Sequence, residues 1–450
     1  MKKLGRIAIS LMMVVTLTMS SLTSVAFGAS EPNLTAGASY LYCATTDEVL
    51  WEDNADKKDN IASITKLMTC LIAVEELGLD AEVTVDAEAT QVIKSDTFVY
   101  AGEKIKVRDL VYGALLASAN DAAKALGLAV SGTQKAFAKK MNAKAKKLGC
   151  TNTHFTNASG VYSNNQYSCA GDVAKIAKAA FANKEIRTIA GTSEYTVPAT
   201  NKTGQVKLKT TNLLLKGGTV DLPSGPVKVE EYDGVIAGKT GTTNDQRTTM
   251  VVLCDIDGFQ VYAVIMDSTL QNRFNDVRRL LNYAKQTLNK YTVFKKGAVF
   301  GEAKLKGGAT NRVEAVSAIE GFINLPEGAS ASLVSTKTKY LSDLKAPIKK
   351  GQKVGTVTIY LADDPVRTIN LRASADVEEG WFLSPVGITN FQTVVLLLVI
   401  VLILGFSVFI AAMRVSNKKK RKLARQAKLR ELARQQIERE RDTRQRNWPY

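Results

Sequence analysis

The sequence has few of the residues on which most metal and triad enzymes depend. Its 450 residues include a single histidine, His154, and a Ser-His-Asp triad would have to rest on it. A lone histidine in a turn-rich stretch is more often structural. The cysteines lack the paired spacing of zinc sites or of a disulfide framework, so we expect no metal or other cofactor. One bridge or separate buried thiols both fit the pattern, and the odd number leaves at least one thiol free. The cysteines are Cys43, Cys70, Cys150, Cys169 and Cys254.

The chain also has little excess charge outside its two ends. The formal net charge is +17, but residues 414–450 hold fourteen Lys or Arg and four Asp or Glu and therefore contribute +10. Lys2, Lys3 and Arg6 contribute a further +3, which leaves about +4 for the body between them. A nearly neutral body gives no reason to expect a nucleic-acid partner.

Residues 1–29 have the pattern of a secretory signal peptide. Basic residues precede an apolar run over residues 7–17, and small residues follow at Ala26, Gly28 and Ala29. We expect cleavage after Gly28 or Ala29. The alternative is an uncleaved anchor, which is disfavoured because the apolar run is short for a span of about 20 residues.

A second hydrophobic stretch, residues 394–413, contains twenty residues without a charge and is long enough to cross a bilayer. Five basic residues follow at 418–422, and the positive-inside rule places them in the cytoplasm. The body of the protein is therefore expected outside the cell, with a basic cytoplasmic tail over residues 414–450. A thin apolar stripe in that tail fits a helix on the anionic inner leaflet, but a solvated, partly helical tail is favoured.

Residues 30–290 are predicted to form an α/β domain in which helices pack on an antiparallel sheet. A hairpin is expected over 39–51 and strands at 248–254 and 259–266, so that the first and last strands share one sheet. Between them, apolar residues at helical spacing predict a helix from Ser63 to the glycine at position 78 and further helices. The other predicted helices are 107–116, 122–130, 134–148, 170–181 and 275–290.

The chain changes character after this domain. Residues 291–378 hold short β-type runs separated by glycine and proline, which predict a small all-β domain. Residues 379–393 are expected to link it to the membrane span.

The chemistry of the first domain is predicted from a serine and a lysine. Ser63 and Lys66 are three positions apart, so on a helix they are neighbours on one face and the amine would act as base for the hydroxyl. The pair alone is a weak signal, because a solvated lysine near a capping serine gives the same spacing.

Two further three-residue motifs, which follow in this order along the chain, strengthen the prediction of a serine–lysine site. They are Ser118-Ala119-Asn120 and Lys239-Thr240-Gly241, and with Ser63 and Lys66 they form the signature of the penicillin-interactive serine enzymes. Ser118 would relay protons to the leaving amine, and Asn120 would hold Lys66 and the substrate amide. Lys239 and Thr240 would fix an anionic substrate terminus. Burial and the charge of Lys239 would lower the pKa of Lys66 and keep it neutral.

The chain resembles the low-molecular-mass penicillin-binding proteins of the serine D-alanyl-D-alanine carboxypeptidase family over residues 31–378. The resemblance includes the motifs above and Leu148-Gly149-Cys150-Thr151, and extends to Ala346-Pro347-Ile348-Lys349 in the β-rich part. It implies removal of the terminal D-alanine from peptidoglycan stem peptides and acylation of Ser63 by β-lactams. The backbone N–H groups of Ser63 and Thr242, the latter following Gly241, would form the oxyanion hole.

Three features depart from the family pattern. The position after Gly241, often histidine in the family, is Thr242. Gln246 and Arg247 stand where small residues are common, and an arginine there would alter the rim of the site or the packing of its strand. Residues 216–232 are longer than expected between the motifs and are predicted to form an extended loop beside the site.

Two other functions fit parts of the pattern. A β-lactamase is disfavoured by Ser-Ala-Asn in place of Ser-Asp-Asn, by the lack of an obvious deacylating glutamate motif and by the extra β domain. A sensor, acylated by β-lactams and signalling through the span and tail, is distinguished from an enzyme by the absence of peptide turnover.

Overall fold

The computed structural model describes residues 30–92, 97–243 and 245–446, so the predicted signal peptide lies outside the described residues. The first unit is built on a five-stranded antiparallel sheet in the order β2-β1-β11-β10-β9. Ala38 of the first strand pairs with Met266 of the last, which confirms that the two ends of the domain share one sheet. The strands are β1 (Ala38–Cys43), β2 (Glu48–Asp53), β9 (Val235–Thr242), β10 (Arg247–Ile256) and β11 (Phe259–Thr269).

Alternating side chains give this sheet two apolar faces. On β10, Val251 and Leu253 point to one face, whereas Met250 and Val252 point to the other. Successive residues of a strand face opposite sides, so both faces of the central strands are buried under other elements. The first face carries most of the helices, and the second carries the last helix of the unit.

The described residues of this unit form seven α-helices, and five of them match predicted helices closely. The first differs at its start, because Ala62–Ile64 forms a 3₁₀ turn before the α-helix begins at Thr65. It ends, as predicted, at Gly78, where φ is +74°. The helices are α1 (Thr65–Leu77), α2 (Val107–Leu115), α3 (Asn120–Ser131), α4 (Gln134–Lys147), α5 (Ala170–Ala182), α6 (Lys184–Ala190) and α7 (Arg273–Thr287).

Short strand pairs, which the sequence pattern did not predict, fill the connections. Residues 216–232 form one of them, and the prediction of an extended loop is wrong. The hairpin closes because Gly225, with φ +111°, takes a backbone conformation that L side chains rarely adopt. Its Val220 and Val229 pack onto the second face of the sheet, beside α7. The short strands are β3 (Glu82–Thr84), β4 (Lys104–Lys106), β5 (Glu194–Val197), β6 (Val206–Lys209), β7 (Gly218–Leu222) and β8 (Gly225–Val229).

The later part of the chain is all-β, as predicted. It contains a two-stranded pair, β12 with β15, and a five-stranded sheet in the order β13-β14-β18-β17-β16. Buried Val313, Ala315, Val354 and Leu371 lie on strands of this sheet. The strands are β12 (Lys290–Phe294), β13 (Val299–Lys304), β14 (Arg312–Ser317), β15 (Gly321–Asn324), β16 (Val334–Tyr340), β17 (Lys353–Leu361) and β18 (Asp364–Ala373).

A single helix, α8 (Asn390–Arg446), contains both the predicted span and the described part of the basic tail. It begins four residues before the predicted span, and the tail that was expected to be partly helical is helical as far as Arg446. By length and composition it is a candidate to cross a membrane.

Candidate active site

A cleft of about 890 Å³ runs along the free edge of the main sheet, beside β9. It brings together residues from distant parts of the sequence. No residue of the 216–232 hairpin is among its described lining residues, so that segment does not form the rim predicted for it. Ser63, Ser118, Asn120, Thr240, Gly241 and Thr242 all line the cleft.

Ser63 lies in the 3₁₀ turn that precedes α1, next to a residue with an unusual backbone conformation. Ala62 has φ +46°, a left-handed conformation that is uncommon for a residue with a side chain. Gly160 packs directly against it, and a Cβ at position 160 would lie 1.9 Å from the carbonyl oxygen of Ala62. Such strain persists only where surrounding structure enforces it, so the serine is fixed at the cleft rather than free to rotate away.

Lys66 reaches Ser63 from the first turn of α1. Its Nζ lies 2.8 Å from Ser63 Oγ, 2.7 Å from Asn120 Oδ1 and 2.7 Å from the carbonyl oxygen of Ser159. The side chain is fully buried. This is the expected i, i+3 contact, and the solvated lysine considered as the alternative is excluded.

Burial, and secondarily the charge of Lys239, holds the pKa of Lys66 well below its usual value. A neutral amine has two hydrogens and one lone pair. The oxygens of Asn120 and Ser159 can only accept, so they take the two hydrogens. The lone pair then faces Ser63, whose hydroxyl can donate to it. The geometry therefore suits proton transfer from the serine to the lysine.

Ser118 is bonded to the second lysine of the site, Lys239. It lies between α2 and α3 with φ +62°, which turns its side chain towards the cleft. Lys239 Nζ donates to Ser118 Oγ at 3.0 Å and to the carbonyl oxygen of Thr240 at 2.8 Å. Burial, with a smaller contribution from the charge of the nearby Arg273, lowers the pKa of Lys239 to about 7. Ser63, bonded to Lys66, and Ser118, bonded to Lys239, thus bring two hydroxyl groups to the same cleft.

The Lys239-Thr240-Gly241 motif lies on β9, an edge strand of the described sheet. Thr240 Oγ1 is 2.7 Å from the hydroxyl oxygen of Thr211. A Cβ at position 241 would lie 2.4 Å from Thr249 Oγ1, so only glycine lets the strand lie this close to its neighbours. Thr242 is exposed at the end of the strand. An edge strand has backbone groups available to pair with an extended peptide.

Among the described cleft residues that the sequence did not predict, Arg273 is the charged one. It is the first residue of α7, and burial lowers the pKa of its guanidinium to about 10, so it stays charged at neutral pH. Its buried Nε has no hydrogen-bond partner among the described residues. The sequence shows only a basic residue before a predicted helix; the fold brings that helix start to the cleft.

Arg247 and Gln246, which depart from the family pattern, lie at the edge of the site. Arg247 begins β10, and its Nε donates to Asp267 Oδ1 on β11 at 2.5 Å. It lines a smaller pocket of about 350 Å³ that shares Tyr162 and Thr243 with the main cleft. Gln246, next to it, has φ +63° in the preceding turn.

Neither the lone histidine nor any of the cysteines is among the described residues that line the cleft. His154 Nδ1 is 2.6 Å from the carbonyl oxygen of Asn165, a structural contact. All five cysteines are free thiols. Cys70, one turn after Lys66, is buried, and burial raises the pKa of its thiol to about 12, so it stays protonated.

Comparison with known proteins agrees with this geometry. The sequence profile of the D-alanyl-D-alanine carboxypeptidase family matches residues 25–269, and that of the penicillin-binding protein 5 C-terminal domain matches residues 289–379. The carboxypeptidase DacC of Escherichia coli is 30% identical, with 79% of this chain and 87% of that protein covered. DacF of Bacillus subtilis is 28% identical, with coverage of 75% and 85%.

A solved structure extends the likeness to three dimensions. Penicillin-binding protein 5 of Haemophilus influenzae superimposes with a TM-score of 0.55 at 26% identity, covering 78% of this chain and all of that one. The profile matches more than half of the chain, and the matched region contains every residue that lines the cleft except Leu270 and Arg273. The chain is a serine hydrolase that belongs to the D-alanyl-D-alanine carboxypeptidase family.

Proposed function

We propose that this enzyme removes the terminal D-alanine from peptidoglycan pentapeptide stems through an acyl-enzyme on Ser63, and that β-lactams acylate the same serine. The observation that carries the proposal is the buried Lys66 amine, whose two accepting partners leave its lone pair to the Ser63 hydroxyl 2.8 Å away. Family membership supplies the substrate class.

Acylation begins when Ser63 Oγ attacks the carbonyl carbon of the penultimate D-alanine and its proton passes to Lys66. The backbone N–H groups of Ser63 and Thr242 stabilise the oxyanion. The carbon–nitrogen bond then breaks, and the leaving amine takes a proton through Ser118. D-alanine departs and the shortened peptide remains as an ester on Ser63.

Deacylation reverses these proton movements with water as the nucleophile. Lys66 accepts a proton from water, which attacks the ester carbonyl, and the proton returns to Ser63 Oγ as the ester bond breaks. Asn120 stays bonded to Lys66 throughout and holds its amine towards the serine. No cofactor is required by either step.

The terminal carboxylate of the substrate would be held by the cationic end of the cleft. Thr240 and Arg273 line that end, and the buried amine of Lys239 is bonded to Thr240 and Ser118 directly behind it. The unpaired Nε of Arg273 is a donor suited to a carboxylate. The rest of the stem peptide would lie antiparallel to β9 and pair with its free edge.

Replacing Arg273 tests this arrangement. We expect Arg273→Gln to lower kcat/KM for an acyl-D-Ala-D-Ala peptide about 10- to 100-fold, mainly through KM, because one charge-assisted hydrogen bond to the carboxylate is lost. Steady-state assays with this peptide and with its C-terminal amide measure the effect. The amide should be nearly insensitive; an equal loss on both substrates would contradict carboxylate recognition.

The two lysines predict a bell-shaped dependence of kcat/KM on pH. Activity should fall when the pH drops below the lowered pKa of Lys66, because its amine then becomes protonated. It should fall in alkali above a pKa of about 7 as Lys239 loses the charge that binds the carboxylate. Arg stays charged across this range, so Lys239→Arg should remove the alkaline limb and keep the acid one. An alkaline limb that survives in this variant would contradict the assignment.

Mass spectrometry of the purified chain with penicillin and with a pentapeptide tests the proposal as a whole. We expect a penicilloyl adduct on the peptide that contains Ser63 and catalytic release of D-alanine. A stable adduct without peptide turnover would favour the sensor, and rapid penicillin hydrolysis would favour a β-lactamase.

We further propose that residues 1–29 are a signal peptide, that 30–290 and 291–378 lie outside the cell, and that 394–413 cross the membrane. The basic residues that follow the apolar part of α8 support a cytoplasmic tail at 414–450. Cleavage of the tail, but not of the catalytic domain, by protease added to inside-out vesicles is the expected result.

A further inference from the structure

The segment that precedes the membrane span is bonded to the β-rich part of the chain. Ala309 N–H donates to the carbonyl oxygen of Glu378 at 2.9 Å, and Gly380 N–H donates to that of Gly307 at 2.9 Å. Gly307 and Ala309 belong to the turn between β13 and β14. This turn therefore holds the segment on the sheet that precedes it.

The first residue of α8 is held by the same turn. Asn390 N–H donates to the carbonyl oxygen of Ala309 at 3.2 Å, and Asn390 Oδ1 accepts from Trp381 N–H at 2.8 Å. Gly380 lies so close that a Cβ there would be 2.4 Å from the carbonyl oxygen of Gly308. The start of the helix is thus fixed to the β-rich part by short backbone contacts.

Between these contacts the segment exposes large apolar side chains. Trp381 is 50% exposed, Phe382 72%, Val386 74% and Phe391 76%. We refer to these four residues as the aromatic collar. The uncharged stretch that contains them runs over residues 380–413, which is 34 residues and longer than the roughly 20 that a helix needs to cross a bilayer.

We infer that the aromatic collar lies in the headgroup interface of the bilayer leaflet next to the catalytic part, and so fixes the β-rich unit against the membrane surface. The inference rests on the membrane orientation proposed above. Tryptophan beside an apolar span favours this region because its ring is apolar and its N–H is polar. Phe382, Val386 and Phe391 add apolar surface next to Trp381. No charged residue separates the collar from the span, so the lipid surface at which the span enters the bilayer lies next to the collar.

Fluorescence of the full chain in vesicles tests this placement. The variants W448F and W381F/W448F differ only at position 381, so the difference between their emission spectra is the emission of Trp381. Trp51 remains in both, held by its hydrogen bond to Ser39 and its edge contact with Tyr283. With lipids brominated near the headgroup we expect about half of the Trp381 emission to be lost, and clearly less with bromine deep in the acyl chains.

Each other outcome overturns the inference in a recognisable way. Emission quenched by aqueous iodide but by neither lipid would place the collar in water. Emission protected from every quencher would mean that a second copy or another protein covers it. A chain that leaves the vesicles in a carbonate wash would overturn the proposed span as well, whereas a retained but unquenched chain overturns the collar alone.

The bonded segment can be tested by a matched pair of glycine variants. Gly380→Ala must displace the segment, because its new methyl group would collide with the carbonyl of Gly308. We expect it to abolish the difference between shallow and deep quenching. Gly405→Ala, within α8, meets nothing within 4 Å and should keep that difference. Equal quenching profiles in both variants would contradict a collar positioned by the turn.

Discussion

Ser63→Ala is expected to reduce D-alanine release from an acyl-D-Ala-D-Ala peptide by about 10⁴-fold or more, because no other group can form the acyl bond. It should also abolish covalent labelling by penicillin. The side chain removed is small and lies at the cleft surface, so the fold should persist. Steady-state release of D-alanine, gel labelling with a fluorescent penicillin and thermal unfolding measure the three effects.

Ser342→Ala provides the control, since this serine is exposed in the β-rich part. Its activity and labelling should equal those of the unmodified enzyme. Penicillin labelling that persists in Ser63→Ala at the original rate would show that another residue is acylated, and the assignment of the nucleophile would be wrong.

Lys66→Gln is expected to lower kcat by about 10³-fold, because the general base of both half-reactions is removed. Glutamine is neutral and of similar polarity, so it can still bond to Asn120 or Ser159. Acylation by penicillin should slow by a similar factor, which stopped-flow or timed labelling would measure. The acid limb of the pH profile should vanish with the base that causes it.

A purely structural role for Lys66 predicts something different. Activity would then fall with thermal stability, and whatever remained would keep the acid limb. Lys135→Gln makes the same chemical change on the exposed surface of α4 and should alter neither the rate nor the profile. A Lys66→Gln enzyme with near-normal kcat would overturn the proposed base.

The main helices and strands were predictable because the spacing of their apolar residues in the sequence matches the side chains that are buried in the structure. The first helix ends at Gly78 as expected, since the helix signal and the left-handed terminator coincide there. The strands β10 and β11 were predictable as well, because two apolar, β-branched runs flank a turn at residues 255–258. The hairpin at 216–232 was not, because a segment rich in glycine and proline gives the same pattern whether its strands pair or remain irregular.

The motif residues of the site could be placed together from their order along the chain, but their environment could not. Spacing alone gives the contact between Ser63 and Lys66. It does not give the left-handed backbones of Ala62 and Ser118, which depend on close packing by distant residues such as Gly160. Arg273 escaped prediction for the same reason, because its place in the cleft is decided by how α7 packs on the sheet.

The burial of Lys66 and Lys239 also links folding to proton release. In the unfolded chain both amines have ordinary pKa values near 10.5, whereas in the folded protein that of Lys66 lies well below this and that of Lys239 is about 7. Between about 7 and 10.5 the unfolded chain therefore binds more protons at Lys239, and the free energy of unfolding rises with pH over this window. Below about pH 7 both the folded and the unfolded chain are protonated at Lys239, so the contribution of Lys239 to stability no longer changes with pH. The contribution of these two lysines to stability is thus least favourable in acid, where Lys66 also ceases to be a base.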